Sequence, residues 1–216
     1  MKVLSYNARG LGGGEKRVEV RRLVQDKSPF VLCIQETKLS SVDDFCVKTL
    51  WGANSYGYSY QPSVGASGGL ITMWDSTRIN VWSSASFDHV LVSIGTIILT
   101  GEDVVIVNVY APCETVAKNI MWGRLTSYVL SKKASCLCVC GDFNSVRSID
   151  EHKGRGTCFR QTDTDMFNKF IEDSQFIDLP ICGRLFTWYR GDGITMSRLD
   201  RFLLSDKWCE RWPNCI

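Results

Sequence analysis

Short apolar runs closed by polar residues recur along the chain: "KVLSYN", "FVLCIQET", "GGLITMW", "INVWSS", "HVLVSIGTIIL", "DVVIVNVYAP", "CLCVCGDFN", "LFTWYR" and "SRLDRFLLS". Their length and their β-branched and aromatic content predict strands. Several are apolar at successive positions, which places them inside a layered structure and not on a water-facing sheet. Between them the apolar period lengthens to that of a helix. In "EKRVEVRRLVQDK", Val20, Leu23 and Val24 share one face, and the helix must stop before Ser28-Pro29 because a residue preceding proline is pushed out of the α region. After Pro112, residues Met121, Leu125, Tyr128 and Val129 form a second stripe, and "TDTDMFNKFIEDSQ" aligns Phe167, Phe170 and Ile171 behind a Thr or Asp cap. Strict βαβ alternation is absent, since strands 89–99 and 103–110 follow one another through a "TGED" hairpin. The expected class is α/β (α+β): two mixed sheets packed face to face with helices outside.

Composition narrows the class. The 216 residues are 44% hydrophobic and 22% charged with 18 Gly and 5 Pro, ordinary values for one globular domain over 1–216. No apolar run approaches the roughly 18 uncharged residues of a membrane span, and "MKVLSYNARG" turns polar too early for a signal peptide. An intracellular chain, nuclear or cytoplasmic and without a membrane partner, is expected. The 10 cysteines fit that setting, because Cys33, Cys136, Cys138 and Cys140 sit in apolar runs as small hydrophobes, and their spacing is not that of zinc knuckles. The net charge of +2 identifies no polyanionic partner, and the local clusters "EKRVEVRR", "EHKGRGTCFR" and "RLDR" each also read as ordinary solvated faces.

The chemistry lies in the polar residues at the strand ends: Asn7, Glu36, Asn108, Tyr110, Asp142, Asn144 and Asp200. One such residue is an ordinary turn former or exposed acid. As a set they differ, because strand ends in layered folds converge at one rim and would gather these groups into a shared cleft. Carboxylate and amide oxygens are hard ligands suited to Mg²⁺ or Mn²⁺. With no Ser or Cys nucleophile beside a His, this oxygen-rich set points to hydrolysis of a phosphodiester or phosphomonoester.

The blocks "SYNARG", "IQETK", "VNVYAP", "GDFN" and "SRLDRFLLS", in this order from residue 5 to 205, resemble the endonuclease/exonuclease/phosphatase superfamily. The likeness is greatest to the apurinic-endonuclease-like endonuclease domain of plant LINE-type (non-LTR) retrotransposons. The resemblance implies a four-layer α/β/β/α sandwich and Mg²⁺- or Mn²⁺-dependent nicking of DNA. It makes Glu36 the principal metal ligand with Asn7 in support, Asp142 the group that orients or deprotonates water, Asn144 a phosphate ligand and Tyr110 a donor to a phosphate oxygen. Thr187 and Trp188 of "FTW" match a stretch shaping the substrate side, and Arg198 neighbours Asp200 there.

Arg9, Lys38, Lys153, Arg155, Arg160, Arg190 and Arg198 fall where a cleft for DNA phosphates would open. Tyr56, Tyr58, Tyr60, Trp188 and Tyr189 could stack on bases, with core packing as the alternative. In the family the acid matched by Asp200 pairs with the histidine of a terminal Ser-Asp-His block. That block is not found before Ile216, and the only histidines are His89 and His152. The expectation is therefore a domain truncated at its C-terminus, with a strand missing and activity impaired, drawn from a polyprotein with a reverse transcriptase downstream. The alternative is a catalytically inactive retroelement remnant that at most binds nucleic acid or a partner.

Overall fold

The computed structural model describes residues 1–65, 67–132, 135–154 and 160–215, so Arg155 of the expected basic set lies outside the described residues. The chain divides into two compact units, Met1–Tyr110 and Ala111–Ile216.

The first unit contains β1 (Val3–Asn7), α1 (Gly14–Lys27), β2 (Val31–Gln35), α2 (Asp44–Trp51), β3 (Tyr56–Val64), β4 (Ser67–Asp75), β5 (Ile79–Phe87), β6 (Val90–Ile97) and β7 (Asp103–Tyr110). One sheet has the order β1-β2-β4-β3, with β1 and β2 parallel and the other pairs antiparallel. Strands β5, β6 and β7 pair antiparallel in sequence, and they stack on the first sheet through β2, β3 and β4. All of β2 is buried because both its faces are covered. Leu32 and Ile34, with Ile71 and Met73 of β4, meet Val20 and Val24 of α1 and Val47, Leu50 and Trp51 of α2. The alternate positions look toward β7, where Gln35 Nε2 donates to Asn108 Oδ1 at 2.7 Å. Asn108 Nδ2 donates in turn to the carbonyls of Ile34 and Ile71.

Asn108 is thus wholly buried, a polar tie between stacked sheets, and not the rim residue expected from its place in the strand. Its two neighbours in β7 are apolar, and a buried amide is retained only when its hydrogen bonds are made. Helix α2 of this unit was not foreseen, whereas the period-two spacing of "YGYSY" is that of one face of an edge strand. Strand β3 runs along the edge, where Tyr56 and Tyr58 pack on the helix-side core and Tyr60 stays exposed, so core packing holds for the first two tyrosines. Helix α2 is capped by Asp43, which accepts from the Cys46 N–H at 2.7 Å.

The second unit contains α3 (Thr115–Ser131), β8 (Cys136–Asp142), a 3-10 turn (Ile149–Glu151), β9 (His152–Lys153), α4 (Gln161–Asp173), β10 (Ile177–Asp178), β11 (Trp188–Tyr189), β12 (Met196–Ser197), β13 (Asp200–Leu204) and α5 (Asp206–Arg211). Strand β13 lies antiparallel between β8 and β10, and β11, β12 and β9 form a small sheet. "LFTWYR" supplies only the two-residue β11. A cluster of stacked and tilted rings, Trp122, Phe143, Phe167 and Phe170, joins α3 and α4 to the end of β8, with centroids 4.8–6.2 Å apart. The cap of α4 is Arg160, without a side-chain cap bond, and not the expected Thr or Asp. Asp163 is instead turned onto α3 by Thr115 and Lys118.

The class is the one expected, sheets packed in an α/β sandwich with helices on the outside. Among the described residues no helix is long and apolar enough to cross a membrane.

Candidate active site

In the first unit, the parallel pairing of β1 with β2 sets Asn7 opposite Gln35 and brings both C-terminal strand ends to one edge. The chain beyond them is held by backbone bonds: Ala8 N–H to Gln35 C=O at 3.0 Å, Gly10 N–H to Glu36 C=O at 2.8 Å and Leu11 N–H to Thr37 C=O at 2.9 Å. From the other side, the carbonyls of Gly69 and Gly68 accept from the Thr37 and Lys38 N–H groups. This frame keeps Arg9, Glu36 and Lys38 at φ of 53°, 52° and 56°, left-handed conformations that L side chains rarely adopt. Three such residues on two adjoining turns mark a place where side-chain direction is imposed by the fold. The Glu36 carboxylate, one-fifth exposed, sits 3.1 Å from the Lys38 ammonium. Asn7 Oδ1 accepts from the Arg9 N–H at 3.2 Å, and the Arg9 side chain is exposed. Tyr110 ends β7, its N–H donating to the carbonyl of His89.

Among the described residues no three His, Cys, Asp or Glu side chains gather into a metal-holding group. The donors at this edge nevertheless have the right chemistry for a magnesium-type ion, which binds through one or two protein carboxylates and otherwise through water and phosphate. Glu36 supplies a part-exposed carboxylate already facing a cation, and Asn7 supplies an amide oxygen.

In the second unit the strand register makes Asp142 and Asp200 direct partners across β8 and β13. Side chains of opposed residues lie on the same face, so the two acids share one face of the strand pair. Alternation sends Arg201 to the opposite face, where its guanidinium meets Glu151 and Asp178 and lies 5.5 Å from the Phe167 ring centroid. Asp142 Oδ1 also accepts from the Asn144 N–H at 2.9 Å. Asn144 is left-handed, with φ 45°, and its side-chain Nδ2 donates to the Ala111 carbonyl at 2.7 Å. Thr187 Oγ1 accepts from the N–H groups of both Leu199 and Asp200, each at 3.0 Å, so Thr187 sets the backbone that carries Asp200.

Trp188 is half-buried in β11. Arg198 is committed elsewhere: it donates to Glu151 at 3.3 Å, Asp178 at 3.1 Å and the Leu179 carbonyl at 2.7 Å, and its side chain is only 14% exposed. A guanidinium so engaged braces the fold and is not offered to a ligand. His152 Nδ1 lies 2.8 Å from Ser197 Oγ.

The sequence reading missed Lys118, whose buried ammonium donates to the Asn144 carbonyl, and its partner Asp163. The signal was present, since Lys118 stands four residues before Trp122 and seven before Leu125, on the apolar stripe of α3. Burial acts to raise the Asp163 carboxyl, but hydrogen bonds from Thr115 and Lys118, with the charges of Lys118 and Arg160, outweigh it and hold the pKa below the ordinary value.

An α/β sandwich with acids and amides at its strand ends defines a class, and the comparisons give it a family. The Endonuclease/Exonuclease/phosphatase family profile matches residues 4–215, and the chain belongs to that family. A search of the curated proteins finds no match. Among solved structures, the AP endonuclease LMAP from Leishmania major superposes with a TM-score of 0.76 at 18% identity, covering 95% of this chain and 79% of that one. An AP endonuclease from Archaeoglobus fulgidus gives 0.75 at 17% identity over 97% and 88%. The catalytic domain of Xenopus laevis APE2 gives 0.74 at 16% identity over 97% and 84%. At such identities these structures share the fold.

Proposed function

We propose that the chain hydrolyses phosphodiester bonds with a divalent metal ion and nicks DNA, as the endonuclease domain of a LINE-type retrotransposon from plants with a reverse transcriptase downstream in the parent polyprotein. The observation that carries the reading is the Asp142–Asp200 pairing beside a left-handed Asn144. Two acids opposed across a strand pair, one of them buried, are an arrangement met where their chemistry is used. The similarity to AP endonucleases, and to a Neisseria 3' phosphatase bound to product DNA hairpin, supports DNA as the substrate.

Glu36 and Asn7 would hold Mg²⁺ or Mn²⁺, which supplies neutralising charge to phosphate and acidity to bound water. Asp142 accepts the proton of the attacking water, with Asp200 sharing the charge of that step. Asn144 has one amide hydrogen on Ala111 and offers the other to a phosphate oxygen. The resemblance gives the Tyr110 hydroxyl the role of a hydrogen-bond donor to phosphate. Arg9 and Lys38 add positive charge for the DNA backbone, and the steep salt dependence of phosphate contacts follows. Thr187 acts through Asp200. Trp188 borders the substrate side. Turnover is impaired, because His152 is engaged by Ser197 and His89 closes the β5–β6 turn, so neither stands in for the histidine that the family pairs with the acid matched by Asp200, and loss of one such group lowers rates by about 10²–10⁴.

Supercoiled plasmid with Mg²⁺ tests this reading. Open circles should accumulate with the parent chain and fail to do so with chelator or with Glu36→Gln. No nicking by the parent, together with no rise in Tm on adding Mg²⁺, would establish the binding-only remnant instead.

A further inference from the structure

Lys118 is only 4% exposed inside the second unit, where lysines are rare unless paired. Its Nζ donates to the backbone carbonyl of Asn144 at 2.6 Å and to Asp163 Oδ2 at 3.0 Å. The other oxygen of Asp163 accepts from Thr115 Oγ1 at 2.7 Å, and Arg160 Nη1 donates to the same hydroxyl at 3.1 Å. Asn144 is thereby held at three points: its N–H by Asp142, its side-chain amide by Ala111 and its carbonyl by Lys118. Removing any one lets a non-glycine residue relax from the left-handed region toward ordinary backbone.

We propose that Lys118, braced by Asp163, is a positioning residue that clamps the Asn144 carbonyl and so keeps the side chains of Asp142 and Asn144 presented together. The proposal rests on the reading of Asp142 and Asn144 as working residues. If the pair merely tied α3 to α4, apolar side chains would do so at lower desolvation cost, and the lysine's shorter bond would not go to Asn144. A displacement of the Asn144 turn by about 1 Å is enough to lower a rate by about 10² while leaving remote substrate contacts intact.

The test compares four full chains: the parent, Lys118→Met, Lys118→Arg and the double variant Lys118→Met/Asp163→Leu. Two readouts apply, plasmid nicking with kcat and KM separated, and amide hydrogen exchange at Asn144. In Lys118→Met, kcat should fall about 10- to 100-fold with KM within about twofold, and Asn144 exchange should speed at least about tenfold while β8 stays protected. Lys118→Arg, which can donate to both acceptors, should return both readouts to within about threefold of the parent. The double variant should regain Tm without regaining either. Unchanged Asn144 exchange in Lys118→Met overturns the clamp, as does recovery of kcat in the double variant along with its Tm. If the parent does not nick at all, the nuclease reading fails, and the exchange readout still decides the clamp.

Discussion

Phe143 separates the acid from the amide in "GDFN", and its ring should carry much of the stability of the second unit. The side chain is completely buried, 5.3 Å from Phe167 and 6.1 Å from Trp122 between ring centroids. Phe143→Ala removes the transfer free energy of a fully buried aromatic and leaves a cavity among rings that cannot collapse freely, a combination that costs about 3–5 kcal/mol. Each aromatic contact contributes about 0.5–1.5 kcal/mol beyond its area, so two of them place this site toward the upper end. Against a total stability of about 5–15 kcal/mol the loss is a large fraction. For a chain of this size it lowers Tm by about 6–20 °C, at about 2–4 °C per kcal/mol. Thermal unfolding followed by near-ultraviolet circular dichroism measures it, and Phe143→Leu, which keeps most of the volume, should cost less than about half as much. A fall in Tm under about 2 °C for Phe143→Ala would refute the claim that this ring anchors the turn bearing Asp142 and Asn144.

Other perturbations follow from the same geometry. Gly69→Ala would drive a methyl group into Thr37 Oγ1 at a position with φ +84°, so it should displace the neighbouring Glu36 and abolish metal-dependent nicking; parental activity would show that this turn does not set Glu36. Asn108→Ala leaves the carbonyls of Ile34 and Ile71 and the Gln35 amide short of partners inside the first unit, at a cost of about 2–4 kcal/mol read from urea unfolding, and a loss below about 0.5 kcal/mol would contradict the polar tie. Asp192 is held down to about 2 from 3.8 by the N–H groups of Thr195 and Ile194 and by the Thr195 hydroxyl. Because its folded pKa is depressed, its support for the β11–β12 turn is complete above about 4 and is lost as the pH falls through about 2. A carboxyl titration followed by NMR with a midpoint near 4 would refute that turn.

The strands were legible because their signal is local: runs such as "FVLCIQ" and "CLCVCG" are too apolar to face water and too short for anything but buried strands, and the structure builds β2 and β8 from them with every residue buried. Helices α1, α3 and α4 announced themselves by stripes that became their packed faces. Edge strand β3 showed only as the period-two tyrosines of "YGYSY", and the short helices α2 and α5 escaped, since a helix of six to eight residues has too few turns to show a period. Their caps, Asp43 and Ser205, were the readable trace.

For the site, residue types at strand ends suggested a chemistry. They could not tell Asn108, sealed between sheets, from Asn7 at an edge, nor show that Arg198 is consumed by Glu151 and Asp178 while Lys118 reaches Asn144. Periodicity states which positions avoid water. Which polar groups find partners across tens of residues is settled by register and by helix placement, and those arise only when the whole chain satisfies its buried hydrogen bonds at once.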